Sequence, residues 1–166
     1  MFKVGEYVVY GTNGVCKVES IGTLNMGMGD REYYTLTPIY EKKSKLFTPV
    51  DNQKVIMRPV LTLEETNELI DGIEEIDLLY VEDEKKREET YKEAMRTCDS
   101  KQWIKIIKTL YLRKQDRLSK GKKATSSDEK YLHMAQQNLY GELAFSLKIS
   151  KEEVEEFITK RMKEKE

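Results

Sequence analysis

A change of hydrophobic period near residue 60 constrains this chain more than any other feature. Before it, short β-branched and aromatic runs alternate with turns; after it, apolar residues recur every three or four positions. Val4, Tyr7, Val8, Val9 and Tyr10 form the first such run, which ends at Gly11-Thr12-Asn13-Gly14. Asn-Gly accepts the positive φ of a tight hairpin turn, so Val15-Cys16-Lys17-Val18 is expected to return antiparallel. A second turn is expected at Met26-Gly27-Met28-Gly29-Asp30, followed by a strand over Glu32–Ile39. The polar turn Glu41–Lys45 leads to Leu46-Phe47-Thr48 before Pro49, and a last short strand is expected around Lys54–Met57. Five short strands in so short a stretch would leave unpaired edges as an open sheet. Residues 1–60 are therefore read as a Tudor-like or SH3-like barrel.

From Thr62 onward the spacing is helical. Thr62 with Glu65 reads as a capping box, followed by Leu69, Ile70, Ile73 and Ile76. A second helix is expected from about Asp83 to Arg96, with Tyr91, Ala94, Met95 and Cys98 on one face. Asp99 with Gln102 opens a third, whose stripe is Trp103, Ile106, Ile107, Leu110 and Tyr111. Ser126 with Glu129 opens a fourth, with Leu132, Ala135, Leu139, Leu143 and Leu147 inward, and Ser150 with Glu153 a fifth. The fold class is α+β: a small barrel, then an all-α bundle over residues 61–166.

The net charge of −1 hides a strong asymmetry. Residues 61–97 carry 13 acids and 5 bases, whereas residues 98–166 carry 16 bases and 11 acids. Between Lys101 and Lys123 there are nine basic residues and a single acid, Asp116. Lys101, Lys105 and Lys108 share a helical stripe opposite Trp103 and Leu110, and are expected to face solvent. Arg113, Lys114 and Arg117 then lead into a loop carrying Lys120, Lys122 and Lys123. Duplex DNA rewards such a surface through counterion release without base reading. A merely solvated helix face is the competing reading. The acidic residues Glu64, Glu65, Glu68, Asp71, Glu74 and Glu75 would repel phosphate, and are expected to solubilise the bundle.

Several classes of function find no support in the residues. Cys16 and Cys98 lie far apart without a second ligand pair, so unpaired thiols in a reducing compartment are expected. His133 is the only histidine and has no ligand partners at metal-binding spacing. No phosphate loop, G-x-S-x-G or H-E-x-x-H occurs, so neither an enzyme nor a cofactor is expected. MFKVGEYVVY lacks the apolar core of a signal peptide, and no stretch approaches the ~20 apolar residues of a membrane span. A cytoplasmic, membrane-free protein is the expectation.

KVGEYVVYGTNGVCKVESI, followed by EYYTL, TPVDN, YKEAM, LYLRKQDR and NLYGELAFS, resembles the CarD/CdnL family of bacterial transcription regulators. The barrel module is similar to the polymerase-interaction domain of transcription-repair coupling factors. The resemblance implies that the barrel docks on the RNA polymerase β subunit by strand pairing along one edge. It implies further that the helical domain reaches promoter DNA at the upstream edge of the bubble, which makes the protein nucleoid-associated, and alters open-complex stability. Polymerase-contacting positions of the family match Leu24, Met26 and Phe47. Leu24 and Phe47 offer apolar groups where the family often has arginine, so a charge-assisted contact becomes a packing contact. Phe47 filling the barrel is the competing reading. A family tryptophan that wedges into the minor groove aligns with Arg87, and nearby basic positions align with Glu89 and Thr90, whereas Lys92 is retained. Trp103, the only tryptophan, is expected in the core.

The DNA-contacting set is accordingly Arg87, Lys92, Arg113, Lys114, Arg117, Lys120, Lys122 and Lys123. The alternative is an adaptor that binds polymerase or another partner and never engages DNA. An RNA-binding Tudor-like module is weaker, because the strands lack an aromatic and basic stacking platform.

Overall fold

Tyr7–Tyr10 forms β1, Val15–Thr23 β2, Glu32–Pro38 β3, Leu46–Pro49 β4 and Met57–Pro59 β5. The computed structural model describes residues 1–24 and 29–165. Most of the expected glycine-rich turn before Asp30 lies outside them. The strands make one antiparallel sheet in the order β4-β3-β2-β1-β5. The turn after β1 is longer than the two-residue hairpin that Asn13-Gly14 suggested. Gly11–Asn13 is a 3₁₀ turn, and the positive φ angles fall on Gly11 and Gly14 (51° and 76°) rather than on Asn13. A Cβ on Gly11 would meet Val55 Cγ1 at 2.6 Å, so glycine is also required there for space.

The last strand begins later than its sequence suggests, because the Asn52 side chain organises the preceding turn. Its Oδ1 accepts from the Lys54 and Val55 N–H groups, and its Nδ2 donates to the Val55 carbonyl. The backbone joins the ladder only at Met57, which pairs with Tyr10, and Arg58 then pairs with Val9.

Successive side chains of β1 enter two different cores. Val8, with Cys16, Val18, Tyr34 and Leu36, lies inside the sheet, where Leu46 of β4 and Met57 of β5 both close over it. The two edges thus curl toward one another around a small apolar centre. Val9 and Val15 face the other way and join the core of the helices.

The helices are α1 (Leu63–Asp71), α2 (Arg87–Arg96), α3 (Ser100–Ser119), α4 (Ser126–Leu147) and α5 (Val154–Lys165). Thr62 and Glu65 form a reciprocal capping box on α1. Ile73–Glu75 is a 3₁₀ turn beyond the end of α1, so Ile76 belongs to no helix. Short 3₁₀ turns also lead into α2 and α5, the latter opened by Ser150 and Glu153. Helix α4 is capped one residue earlier than expected, by Thr125, whose hydroxyl accepts from the Asp128 N–H at 3.1 Å. Asp99 caps α3 by accepting from the Lys101 N–H, without help from Gln102. Trp103, Ile106 and Leu110 are buried as the stripe required, whereas Tyr111 is exposed and Ile104 takes its place inside. No helix among the described residues is long and apolar enough to cross a membrane.

Helix α5 packs across α1 and α4. Val154 is buried, and Arg161 makes a two-bond pair with Asp71 of α1 at 2.7 and 3.0 Å. Hydrogen bonding to Arg161 holds the Asp71 carboxyl below the usual carboxylate range. One of the acids expected merely to solubilise the bundle is therefore a latch for the last helix.

Candidate protein-docking edge and nucleic-acid interface

Among the described residues β4 has a sheet neighbour on one side only, so its outer N–H and C=O groups form an open edge. Along it Leu46 turns into the barrel and Thr48 is buried, while Phe47 points outward and is 45% exposed. Phe47 therefore does not fill the barrel. It stands level with Thr35 and, through it, with Ser20 of β2. Leu24, half-buried, follows the far end of β2, beyond the Thr23–Glu32 pair. Met26 lies outside the described residues. An exposed pair, Arg31 with Asp51 at 3.1 Å, borders the same end.

The basic residues fall into two groups. Arg87 and Arg113 belong to an internal chain of hydrogen bonds. Arg87 donates twice to Glu84, at 2.9 and 2.7 Å, and once to the Tyr91 hydroxyl at 2.9 Å. The buried Tyr91 hydroxyl donates to Asp128 Oδ1 at 2.9 Å, and Arg113 donates to Asp128 Oδ2 at 2.6 Å. This chain ties α2, α3 and α4 together. Hydrogen bonding to Glu84 pushes the Arg87 guanidinium further into its charged form, while burial raises the Tyr91 phenol. Lys108 is similarly engaged: its Nζ donates to the Ile73 and Ile76 carbonyls at 3.0 and 2.5 Å. It caps the turn after α1 and does not face solvent freely as its stripe suggested.

The other group gathers at the end of α3. The Lys122 N–H bonds the Arg117 carbonyl and the Gly121 N–H the Leu118 carbonyl, with Gly121 at φ 73°. These are the two bonds of a Schellman cap, which fixes the course of the chain out of the helix. Arg117 Nε donates to the Lys123 carbonyl at 2.8 Å and closes the loop back on the helix. Arg117, Lys120, Lys122 and Lys123 are thus brought together around one helix C-terminus, whose dipole favours cations. Lys120 makes an exposed pair with Asp116 at 3.2 Å, while Lys122 and Lys123 are exposed and in no ion pair among the described residues. Lys114 is half-exposed one turn earlier. Lys92, on α2, sits apart from this group beside Glu89 at 3.5 Å.

What holds the edge and the basic end in one frame was not legible in the sequence. Arg58 of β5 makes a two-bond pair with the fully buried Glu142 of α4, at 2.6 and 2.7 Å. Its Nε donates to the Cys98 carbonyl at 2.6 Å, and its guanidinium lies 5.5 Å from the Trp103 ring centre. Glu142 also accepts the Leu61 N–H at 2.9 Å. Burial alone would lower the Arg58 pKa, but the Glu142 hydrogen bonds and charge together raise it. One residue before, Gly141 lets Tyr40 lie against the helix, with its hydroxyl on the Gly141 carbonyl at 2.9 Å. The Gly141-Glu142 pair within YGELA is therefore the seat on which the barrel rests.

Two family models match the chain: the CarD-like/TRCF RID domain over residues 2–61, and the CarD C-terminal domain over residues 74–159. The chain belongs to the CarD family. No curated protein matches it. Membership makes the CarD-like chain a transcription regulator whose barrel is of the RNA polymerase-interacting kind. The barrel-to-α4 seat lies across the two matched regions, with Arg58 in the first and Glu142 in the second.

Proposed function

We propose that this chain is a non-catalytic regulator that docks on the RNA polymerase β subunit along β4. Its helical domain then contacts promoter DNA at the upstream edge of the bubble and shifts open-complex stability. Residues 1–60 supply the tether and residues 61–166 the DNA arm, in the cytoplasm at the nucleoid. The carrying observation is the cluster of Arg117, Lys120, Lys122 and Lys123 on the Schellman cap of α3. A fixed backbone presenting several cations clamps phosphates without reading bases, so weak sequence preference is expected. Phe47, outward on an open strand edge, fits a packing contact beside β-augmentation.

Three of the five Arg87 N–H groups serve Glu84 and Tyr91, so in this reading the wedge role does not pass to it. The same engagement of Arg87 and Arg113 favours a second reading, in which the chain is a polymerase-bound adaptor without DNA contact. Salt separates the two. Duplex affinity measured from 50 to 300 mM salt should fall with a log–log slope of roughly −0.9 per neutralised phosphate. Changing Lys120, Lys122 and Lys123 to Glu should flatten that slope by about 3. A slope near zero for the unaltered chain would leave only the adaptor.

A further inference from the structure

Between the 3₁₀ turn Ile73–Glu75 and the turn that leads into α2, the chain forms neither helix nor strand, yet it is pinned. Lys108 holds the Ile73 and Ile76 carbonyls, and the Leu79 N–H donates to Thr109 Oγ1 of α3 at 2.7 Å. Ile76 and Leu79 pack on the helical core, whereas Leu78 and Tyr80 face solvent, 47% and 79% exposed. Inward Leu79 between outward neighbours is the alternation of an extended strap. Neither outward side chain belongs to an apolar core among the described residues.

The charge around this pair runs opposite to that at the end of α3. Glu74, Glu75, Asp77, Glu82 and Asp83 are exposed and in no ion pair among the described residues. The first cation after them in sequence is Lys85, and the Lys108 ammonium beside the strap is taken up by the Ile73 and Ile76 carbonyls. Such a surface repels phosphate, so it does not extend the nucleic-acid face. An aromatic and a leucine ringed by carboxylates match the opposite pattern: an apolar recess rimmed by lysine or arginine on a protein. Pinning the strap beforehand reduces the ordering cost of binding there.

We propose that the Leu78–Tyr80 strap is a second protein-docking element, taking a cationic protein surface of the polymerase assembly at a site separate from β4. The inference rests on the polymerase reading above. The test places p-benzoylphenylalanine at position 80 and irradiates the chain bound to purified polymerase holoenzyme on promoter DNA. A cross-link to a polymerase protein is expected. Changing Glu74, Glu75 and Asp77 to Lys should reduce its yield roughly tenfold, as expected for loss of a complementary rim around an anchor. Circular dichroism checks that the variants fold. A cross-link to DNA would overturn the proposal in favour of a nucleic-acid contact, and a bound chain without any cross-link would also overturn it. Failure of the chain to co-purify with polymerase would defeat the docking reading itself, and this inference with it.

Discussion

Glu142 sits at 0% exposure on a helix and receives two Arg58 donors and one backbone donor. A carboxylate so placed repays its desolvation only while its partners remain. Changing Arg58 to Met should destabilise the chain by about 3–5 kcal/mol, read from urea unfolding. The double change with Glu142→Leu should recover part of that loss, because an apolar pair leaves no buried charge while the Leu61 N–H and Cys98 carbonyl still lose their partners. Neither residue announced itself. Glu142 stands in a helix rich in polar residues, and Arg58 lies 84 positions earlier, beyond the reach of any periodicity. Trp103 was legible because its stripe repeats every turn. A different pH signature belongs to Cys16, whose thiol burial pushes up from 9.0 to about 12. The unfolded chain releases this proton first, so the thiol's contribution is full below pH 9 and is lost as pH rises toward 12. Stability followed from pH 8 to 11 should fall less steeply in Cys16→Ala than in the unaltered chain.

At the scale of elements, local chemistry set the boundaries, including those that fell away from their expected places. Thr62 and Glu65 could be read as a capping box because both partners lie within four residues. The start of α4 shifted to Thr125 because Ser126 and Thr125 offer equivalent hydroxyls, and only the turn geometry chooses. β5 began late because Asn52 builds a turn from its own side chain. Tyr111 faces water although its spacing continues the buried stripe, and two residues on Arg113 reaches Asp128 of α4. The seat of the barrel on α4 is narrow: a Cβ on Gly141 would lie 3.1 Å from Tyr40 Cε2. Gly141→Ala should force the Tyr40 ring aside, break its hydroxyl bond to the helix, and lower stability by about 1–3 kcal/mol. Thermal unfolding beside a Tyr40→Phe variant would show whether the lost bond or the displaced ring dominates.

Over the whole molecule, one apolar core runs from Val9 and Val15 of the sheet to Leu143 and Val154 of the helices. Barrel and helices built around one core move together, so under the proposed reading docking by the barrel would fix where the Lys120–Lys123 end can reach. The change of period near residue 60 revealed the two parts, but the shared core was hidden, because alternate residues of β1 serve different interiors. The cationic end of α3 was legible as composition; the division of the basic residues into engaged Arg87 and Arg113 and the rest depended on Glu84, Tyr91 and Asp128, which no charge count reveals. The most direct test of the account is the lifetime of a promoter open complex on purified bacterial polymerase. It should be measured with the unaltered chain and with Lys120, Lys122 and Lys123 changed to Glu. The unaltered chain should change the lifetime, and the triple variant, though still bound to polymerase, should not. An unaltered chain that binds polymerase and leaves the lifetime unchanged would contradict it.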